Sequence, residues 1–298
     1  MNFNPALFVY EPGRDYSWQV FDHVTVAVIT WNRIDLTRRF FDALGETTRA
    51  PVDVLVIDNG STDGTVEYLR QCAGAHPGLR VIANGQNLGK PRALRQIQQA
   101  LPPGGLVVLF DNDIEMLSHF WLVHVQKAFH AARLRLGHAR VAFGIRMVNC
   151  EEYGFRYAQR VEVLPIPAAQ NDLPRTSYAA QSKDTPGAEP GEEQVVIGWT
   201  GFLMGGVRAI PNATFRQIRL DTLYPSGIGA DDAFISAELD RLGVPFGTIE
   251  NGPIARHNDW PYSDAKIALY ATLTRQRTVT DGYYLWWKIR AWLRAWRR

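Results

Sequence analysis

Apolar and polar positions along the first 116 residues change period in a regular way. Val24–Ile29 (VTVAVI) is a short apolar run that reads as a buried strand, and Leu36, Phe40, Phe41 and Leu44 then recur at helical spacing, with Gly45 as the expected stop. Val52–Ile57 (VDVLVI) is a second strand candidate. The turn formers NGSTDGT follow it and cap a helix through Val66, Leu69 and Arg70. Leu79–Ala83 is a short third strand, and Pro91 suits the first turn of a helix running to about Ala100. A fourth run, Leu106–Phe110, follows Gly104 and Gly105 and opens the stretch LVVLFDNDIEM. Four strand-helix alternations with short joins predict a parallel sheet with helices on both faces.

The polar residues at the strand ends carry the candidate chemistry. Thr30 and Asn32 follow strand one, Asp58 ends strand two, and Asp111 and Asp113 end strand four. In an open α/β sheet these ends share one edge, and ligands bind outside it. Asn112 separates the last two acids, so an extended backbone would point both the same way, while a turn would let both reach one ion. Adjacent carboxylates repel unless a cation separates them, and hard oxygen ligands suit Mg²⁺ or Mn²⁺ holding a phosphate. The alternative is a strand-end turn with solvated acids.

The second half of the chain is less regular. Between residues 165 and 194 the composition shifts to Pro, Ala, Ser, Gln and Gly, which predicts a mobile insertion. Order is expected to resume in Val195–Gly206 (VVIGWTGFLMGG), whose glycines allow either close approach to a ligand or tight turns. Gly227–Gly243 (GIGADDAFISAELDRLG) predicts a helix that opens on Asp231 and Asp232, two acids that could be simple caps. Residues 1–23 form an irregular aromatic arm. From Tyr283 to Arg298, Leu285, Trp286, Ile289, Trp292, Leu293 and Trp296 gather on one helical face and the basic residues mostly take the other. Such a helix would lie in an anionic membrane interface, or dock on the catalytic domain or a second subunit.

Composition narrows the classes. The 298 residues are 46% hydrophobic and 21% charged, enough for a large core. Cys72 and Cys150 have no metal-ligand spacing and suggest a reducing compartment. With no run of 18 uncharged apolar residues and no charged-then-apolar leader, a cytoplasmic protein is expected, peripheral on the inner membrane face if the tail binds lipid. The last sixteen residues hold five basic groups and no acid, so the net +2 of the chain becomes −3 once they are set aside. A mildly acidic body argues against a surface that tracks nucleic acid.

From Val24 to Ser263 the chain resembles glycosyltransferase family 2, the inverting nucleotide-sugar-dependent enzymes of the GT-A fold. The opening strand is matched by VAVITWNR, the nucleotide-contacting acidic turn by VIDNGSTDGT, and the Asn-x-Gly helix start by NLGKPRALRQ. The Asp-x-Asp motif is matched by FDNDIEM, the Gly-rich acceptor-side strand by GWTGFLMGG, and the acidic pair before a helix by GADDAFISAELDRLG; His257 and Ser263 match a late His and Ser. The resemblance implies a Rossmann-like, mostly parallel central sheet with helices on both faces. Residues 24–115 would be the nucleotide-sugar half and 116–263 the acceptor half, followed by a helical segment at 264–298. It further implies that Thr30, Asn32 and Asp58 hold base and ribose, that Asn87, Gly89 and Lys90 line the nucleotide, and that Asp111 and Asn112 contact ribose or sugar. Asp113, with Asp111 and His257, would hold Mn²⁺ or Mg²⁺, Trp199, Thr200, Gly201 and Asp231 would face the acceptor, and Asp232 would be the catalytic base. The family often has Glu, Asp and Arg where this chain has Asp231, Phe234 and Glu238.

The implied activity is metal-dependent transfer of a sugar, UDP-linked by family habit, to a hydroxyl of a glycan, lipid-linked or other acceptor. Three rival readings are weaker. In GQNLGKP, Gly85 and Gly89 are too close for a P-loop and Pro91 stands where Ser or Thr should hold Mg²⁺. A nucleotidyltransferase needs a Gly-rich basic loop after strand one, where TWNRID stands, and a carbohydrate-binding module would not turn over a nucleotide-sugar.

Overall fold

The computed structural model describes residues 19–48, 50–148, 158–166, 193–203, 205–220 and 231–259. The N-terminal arm up to residue 18, Cys150, most of the 165–194 insertion, Ser263 and the 264–298 segment lie outside the described residues. The element order is β1 (Val24–Thr30), α1 (Ile34–Thr47), β2 (Asp53–Asp58), α2 (Thr65–Ala75), β3 (Leu79–Ala83), α3 (Lys90–Ala100) and β4 (Leu106–Asp111). Then come β5 (Ile114–Met116), α4 (Trp121–Leu136), β6 (Ala142–Met147), β7 (Ala158–Ile166), β8 (Glu193–Thr200), β9 (Val207–Pro211), α5 (Asn212–Phe215), α6 (Asp231–Arg241) and β10 (Phe246–His257).

These strands form one sheet in the order β3-β2-β1-β4-β9-β6-β10-β8-β7, with β5 on β10. The first four run parallel, and the registers Thr30↔Asp58 and Ile29↔Asp111 bring their carboxyl ends to a common edge. β9 enters antiparallel to β4, so Val207, at the start of β9, lies opposite Phe110. β10 is parallel to β6, and its last residues pair with β5, opposing His257 to Ile114 just beyond Asp113.

Alternation along the strands produces two apolar layers. Val26, Val28, Val54, Val56, Val108 and Phe110 pack with Phe40, Leu69, Trp121 and Phe129 of α1, α2 and α4. The intervening Ala27, Leu55, Ile57, Val107 and Leu109 pack with Leu94, Ile97, Phe215, Phe234 and Ile235 of α3, α5 and α6. The fold is therefore mixed α/β, with α3 and α6 sharing one face of the sheet.

Three expectations change. Helix α1 continues through Gly45 to Thr47, because Phe40, Phe41 and Leu44 hold its face in the core and Thr47 closes on the Ala43 carbonyl. The stretch from Leu106 to Met116 is two strands, since Asn112 and Asp113 turn the chain and β5 joins β10 rather than continuing β4. Pro165 and Gln194, expected at the ends of an insertion, belong to the β7-β8 ladder, where Ile166 packs into the core.

Candidate active site at the carboxyl edge of the sheet

At the end of β2, Asp58 is fully buried and its carboxylate is enclosed by four donors. Thr30 Oγ1 donates at 2.8 Å, Ser61 Oγ at 2.5 Å, and the Ser61 and Gly60 amides at 2.9 and 3.1 Å. A carboxylate that accepts several such bonds is well held. Gly60 is required here: it has φ +82°, and a side chain would run into the backbone of Gln86 and Asn87. Thus Thr30 and Asp58 shape the turn, and the turn presents the residues beyond it. Asn59 extends the arrangement, donating to Asn87 Oδ1 at 2.7 Å and accepting from the Leu88 amide at 3.0 Å, while Asn87 Oδ1 also takes the Gly89 amide at 2.8 Å.

The link from β1 to α1 is strained. Asn32 and Arg33 are consecutive non-glycine residues with φ of 54° and 64°, a conformation that persists where surroundings over-determine it. They do so here: the Asn32 amide donates to Ser61 Oγ at 2.7 Å, Asn32 Oδ1 accepts from the Thr62 amide, and Asp63 Oδ2 accepts from the Ile34 amide at the start of α1. The result aims Arg33 back over the edge, where it bridges Asp113 (3.2 Å) and Asp259 (2.7 Å). Trp31 beside it is 37% exposed, an unusually open large side chain for this edge.

Asp111 and Asp113 do not point together. The turn at 112–113 separates them, so Asp111 faces the α3 side and takes Lys90 Nζ at 2.8 Å, while Asp113 faces Arg33 and has His257 Nε2 3.8 Å away. Among the described residues no three His, Cys, Asp or Glu side chains are grouped to hold an ion. Asp113 and His257 stand 3.8 Å apart at the edge, and a carboxylate with an imidazole suits Mn²⁺ better than the all-oxygen preference of Mg²⁺. Asp111 is committed to Lys90 and does not fit that set. Asn112 is buried and donates to Thr37 of α1, so it fastens the turn.

The acids of α6 meet this edge from the other side. Lys90 reaches Asp231 at 3.0 Å, and Arg208, buried on β9, reaches Asp231 at 2.6 Å and Asp232 at 3.4 Å. Burial opposes charge on Asp231, but Lys90 and Arg208 outweigh it and hold its carboxyl well below the usual range. Asp232 has the opposite balance. Burial and the neighbouring Asp231 carboxylate push it up to about 7, although 31% of its side chain remains exposed. Gly205 lies flat against the Asp232 carboxylate, where any side chain would collide with it. Ser236 accepts the Leu203 amide and donates to the Asp232 carbonyl, fixing this loop to the first turn of α6. Further along, Glu238 binds Arg219 and Arg241 and is held down to about 2 despite burial, a clamp on the outer part of the helix.

The remaining expected residues sit apart. Trp199 is a core side chain on the opposite face from α6, packed near Phe143 and donating to Glu162. Thr200 closes a short turn with Phe202, next to Gly201. Sequence reasoning gave no role to Arg208, Arg33 or Asn59. A lone arginine inside the apolar run VRAIP was the available signal for Arg208.

The carboxyl edge of this mixed α/β sheet gathers acids from β4 and α6 with Lys90, Arg33 and Arg208, and comparison with known proteins gives the family. Glycosyl transferase family 2 matches residues 25–179, and the chain belongs to that family. Two curated proteins, each the N-acetylglucosaminyl-diphospho-decaprenol L-rhamnosyltransferase of a Mycobacterium tuberculosis strain (CDC 1551 / Oshkosh and ATCC 25618 / H37Rv), are 36% identical to it over 75 residues. That match covers 25% of this chain and only 24% of theirs. Among solved structures, the mannosyltransferase PcManGT from Pyrobaculum calidifontis with GDP-Man and Mn²⁺ shares the fold over 80% of this chain and 61% of its own, at 20% identity and a TM-score of 0.51. GalNAc-T7 with UDP, GalNAc and Mn²⁺ does so over 79% and 43%, at 14% identity and 0.53. The GT-A fold is therefore shared by this chain.

Proposed function

We propose that the protein transfers a sugar from a nucleoside diphosphate donor to an acceptor hydroxyl with inversion, and that Asp232 is the general base. The observation that carries this reading is the asymmetry of the α6 acids: Asp231 is neutralised by Lys90 and Arg208, whereas Asp232 is partly exposed and its proton affinity is raised to about 7. A base is most effective when its pKa lies near the working pH, and Asp232 meets that condition beside the sheet edge where a donor binds.

The division of labour among the other residues follows their contacts. Asp58 and Thr30 support the donor through the 58–61 turn, and Asn32, Asn87 and Gly89 shape the surface beside it. Trp31 offers an exposed face on which a nucleobase can stack. Asp113 and His257 would hold a divalent cation, which neutralises the charge that develops on the leaving diphosphate. Lys90 and Arg33 add positive charge at the same edge, and Asp111 orients Lys90. Thr200, Gly201 and Gly205 form the acceptor side, with Trp199 supporting it from the core.

The donor is proposed to be UDP-linked, and the acceptor a glycan or a lipid-linked glycan, the latter in keeping with the curated relatives' names. Among the described residues no helix is long and apolar enough to cross a membrane. Peripheral attachment would fall to Tyr283–Arg298. Full-length protein should co-sediment with anionic vesicles at low salt and lose this on truncation after Asp281; no sedimentation of the full-length chain would remove the attachment.

A thermal-shift panel of UDP, GDP and their sugars, with and without Mn²⁺, tests the donor assignment, because a ligand that binds only the folded state raises the melting temperature. A shift with UDP-sugars that requires Mn²⁺ supports it. Equal indifference to every nucleotide would overturn it.

A further inference from the structure

Lys90, Asp111, Arg208, Asp231 and Asp232 come from four different elements, α3, β4, β9 and α6, and meet within one network. Arg208 is its centre on the acceptor side. Its side chain is 3% exposed, it is the second residue of the otherwise apolar strand β9, and Val207 and Ala209 on either side of it pack into the opposite core. A buried guanidinium is costly unless its partners are fixed, and its partners here are the two acids of α6 alone among the described carboxylates in ion-pair contact with it. One branch of the fork holds Asp231 at 2.6 Å, and the other stands 3.4 Å from Asp232. Lys90 reaches the same Asp231 Oδ2 at 3.0 Å, while the Asp232 carboxylate packs against Gly205 and keeps 31% of its side chain in solvent.

We propose that Arg208 is the positioning residue of this site: from β9 it holds the first acid of α6 inward against Lys90 and the second outward, towards the reacting hydroxyl. This rests on the assignment of Asp232 as base, and it adds why the neighbouring acid cannot take that part. Asp231 is already the shared anion of two cations, the partly exposed Lys90 and the buried Arg208. Asp232 keeps only the weaker branch of the fork, and so remains able to accept a proton. Lys90 also bonds Asp111, so the same network ties the donor-side strand end to the orientation of the base.

The charged groups that face Asp232 among the described residues are Asp231 on its own helix, Arg208 from β9, Lys90 from α3 and Asp111 from β4. This makes the test directional. In the full-length chain labelled with ¹³C at aspartate carboxyls, the Asp232 resonance is assigned by its loss in Asp232→Asn and followed against pH. In Arg208→Gln the midpoint should move up by about one unit or more, because a cation is lost. In Asp231→Asn it should move down, because a like charge is lost. A role limited to packing predicts something else: loosening the start of α6 would solvate Asp232 and lower the midpoint in both variants. Should Arg208→Gln not fold, Arg208→Lys keeps the charge without the fork, and its midpoint is expected at or above that of the wild type while Asp231→Asn lies below. An unmoved midpoint in Arg208→Gln, or a fall in an arginine variant alongside Asp231→Asn, would overturn the proposal. The readout is independent of turnover. If the arginine variants behave as expected but Asp232→Asn still transfers sugar at the wild-type rate, the positioning role stands and the base lies elsewhere.

Discussion

Two buried carboxylate sites on the same sheet edge are built from different partners. Asp58 is enclosed by neutral donors, the hydroxyls of Thr30 and Ser61 and two amides of its own turn, all within one small unit between β1 and β2. Asp231 and Asp232 are held instead by Lys90 and Arg208, charges that arrive from separate strands and helices. Neutral dipoles fix a shape. Charges also couple the protonation of one group to that of its neighbours, and an unequal division between two adjacent acids leaves one of them with a raised proton affinity. The first arrangement is suited to presenting a surface to a ligand, and the second to moving a proton.

The sharpest way to break this contrast is to remove each acid in turn. Asp232→Asn keeps the size and capping ability of the side chain but cannot take a proton at neutral pH, so turnover should fall about 10²-fold or more while donor binding persists. Single-turnover transfer with calorimetric donor binding measures both. Near wild-type transfer, or a product that keeps the donor's anomeric configuration, would show that the base has been misplaced.

Asp58→Ala should do the reverse. It leaves the hydroxyls of Thr30 and Ser61 and the Gly60 amide without their common acceptor, and a buried donor left unsatisfied costs about 1–3 kcal/mol. A loss of about 2–4 kcal/mol in urea unfolding is expected, together with weaker nucleotide binding whether or not Mn²⁺ is present. Full stability with selectively lost nucleotide affinity would mean that Asp58 touches the ligand directly and that the turn is not its main task.

The pH dependence of stability separates the two sites again. Asp232 is raised from an ordinary carboxylate value to about 7, so its contribution is present below the unfolded pKa and is lost as pH rises towards 7. Its ionised form therefore burdens the fold at neutral and alkaline pH. Asp232→Asn should unfold at a higher temperature than wild type at pH 8, by about 1–2 kcal/mol after allowing for the 31% of the side chain in solvent, and show no gain near pH 4. A lower melting temperature at pH 8 would indicate that Asp232 serves the fold rather than strains it. Glu238 has the opposite sign. It is held down to about 2, so its share of stability is present above the ordinary glutamate range and disappears as pH falls towards 2.

Most of the nucleotide half could be read from sequence, because its strands are apolar on both faces and its helices carry plain stripes. Val26, Val56 and Val108 announce themselves as core, and Pro91 at the start of α3 marks its helix. The site was named from a motif at Asp232 and His257, which lie 3.4 Å from Arg208 and 3.8 Å from Asp113. It was not legible at Asp111 and Asp113, since the backbone turn that separates them depends on β5 finding β10 more than a hundred residues later. Arg208 was hidden for a similar reason. Nothing local to VRAIP says that its only polar side chain will meet two acids 23 and 24 residues further on. Gly205 stood out as a glycine, but its reason is the carboxylate that packs against it.

The smallest expected effect concerns the other cation of the edge. Arg33 occupies the space between Asp113 and Asp259, and His257 lies 3.8 Å from Asp113, so a divalent ion bound by Asp113 and His257 must share the acid with a guanidinium or displace it. Like charges a few ångströms apart near a protein surface repel by about 1 kcal/mol or more, even in a medium close to water. Arg33→Gln should therefore bind Mn²⁺ about tenfold more tightly in the absence of nucleotide. With a nucleoside diphosphate present the advantage should shrink, because the phosphates then supply the anion that Arg33 pairs with. Calorimetry of Mn²⁺ alone and with UDP measures the two affinities. Should Arg33→Gln bind Mn²⁺ no better than wild type, Asp113 is not the acid that the ion and the arginine share, and the donor side of the edge works through its own cations, Lys90 and Arg33, in place of a metal.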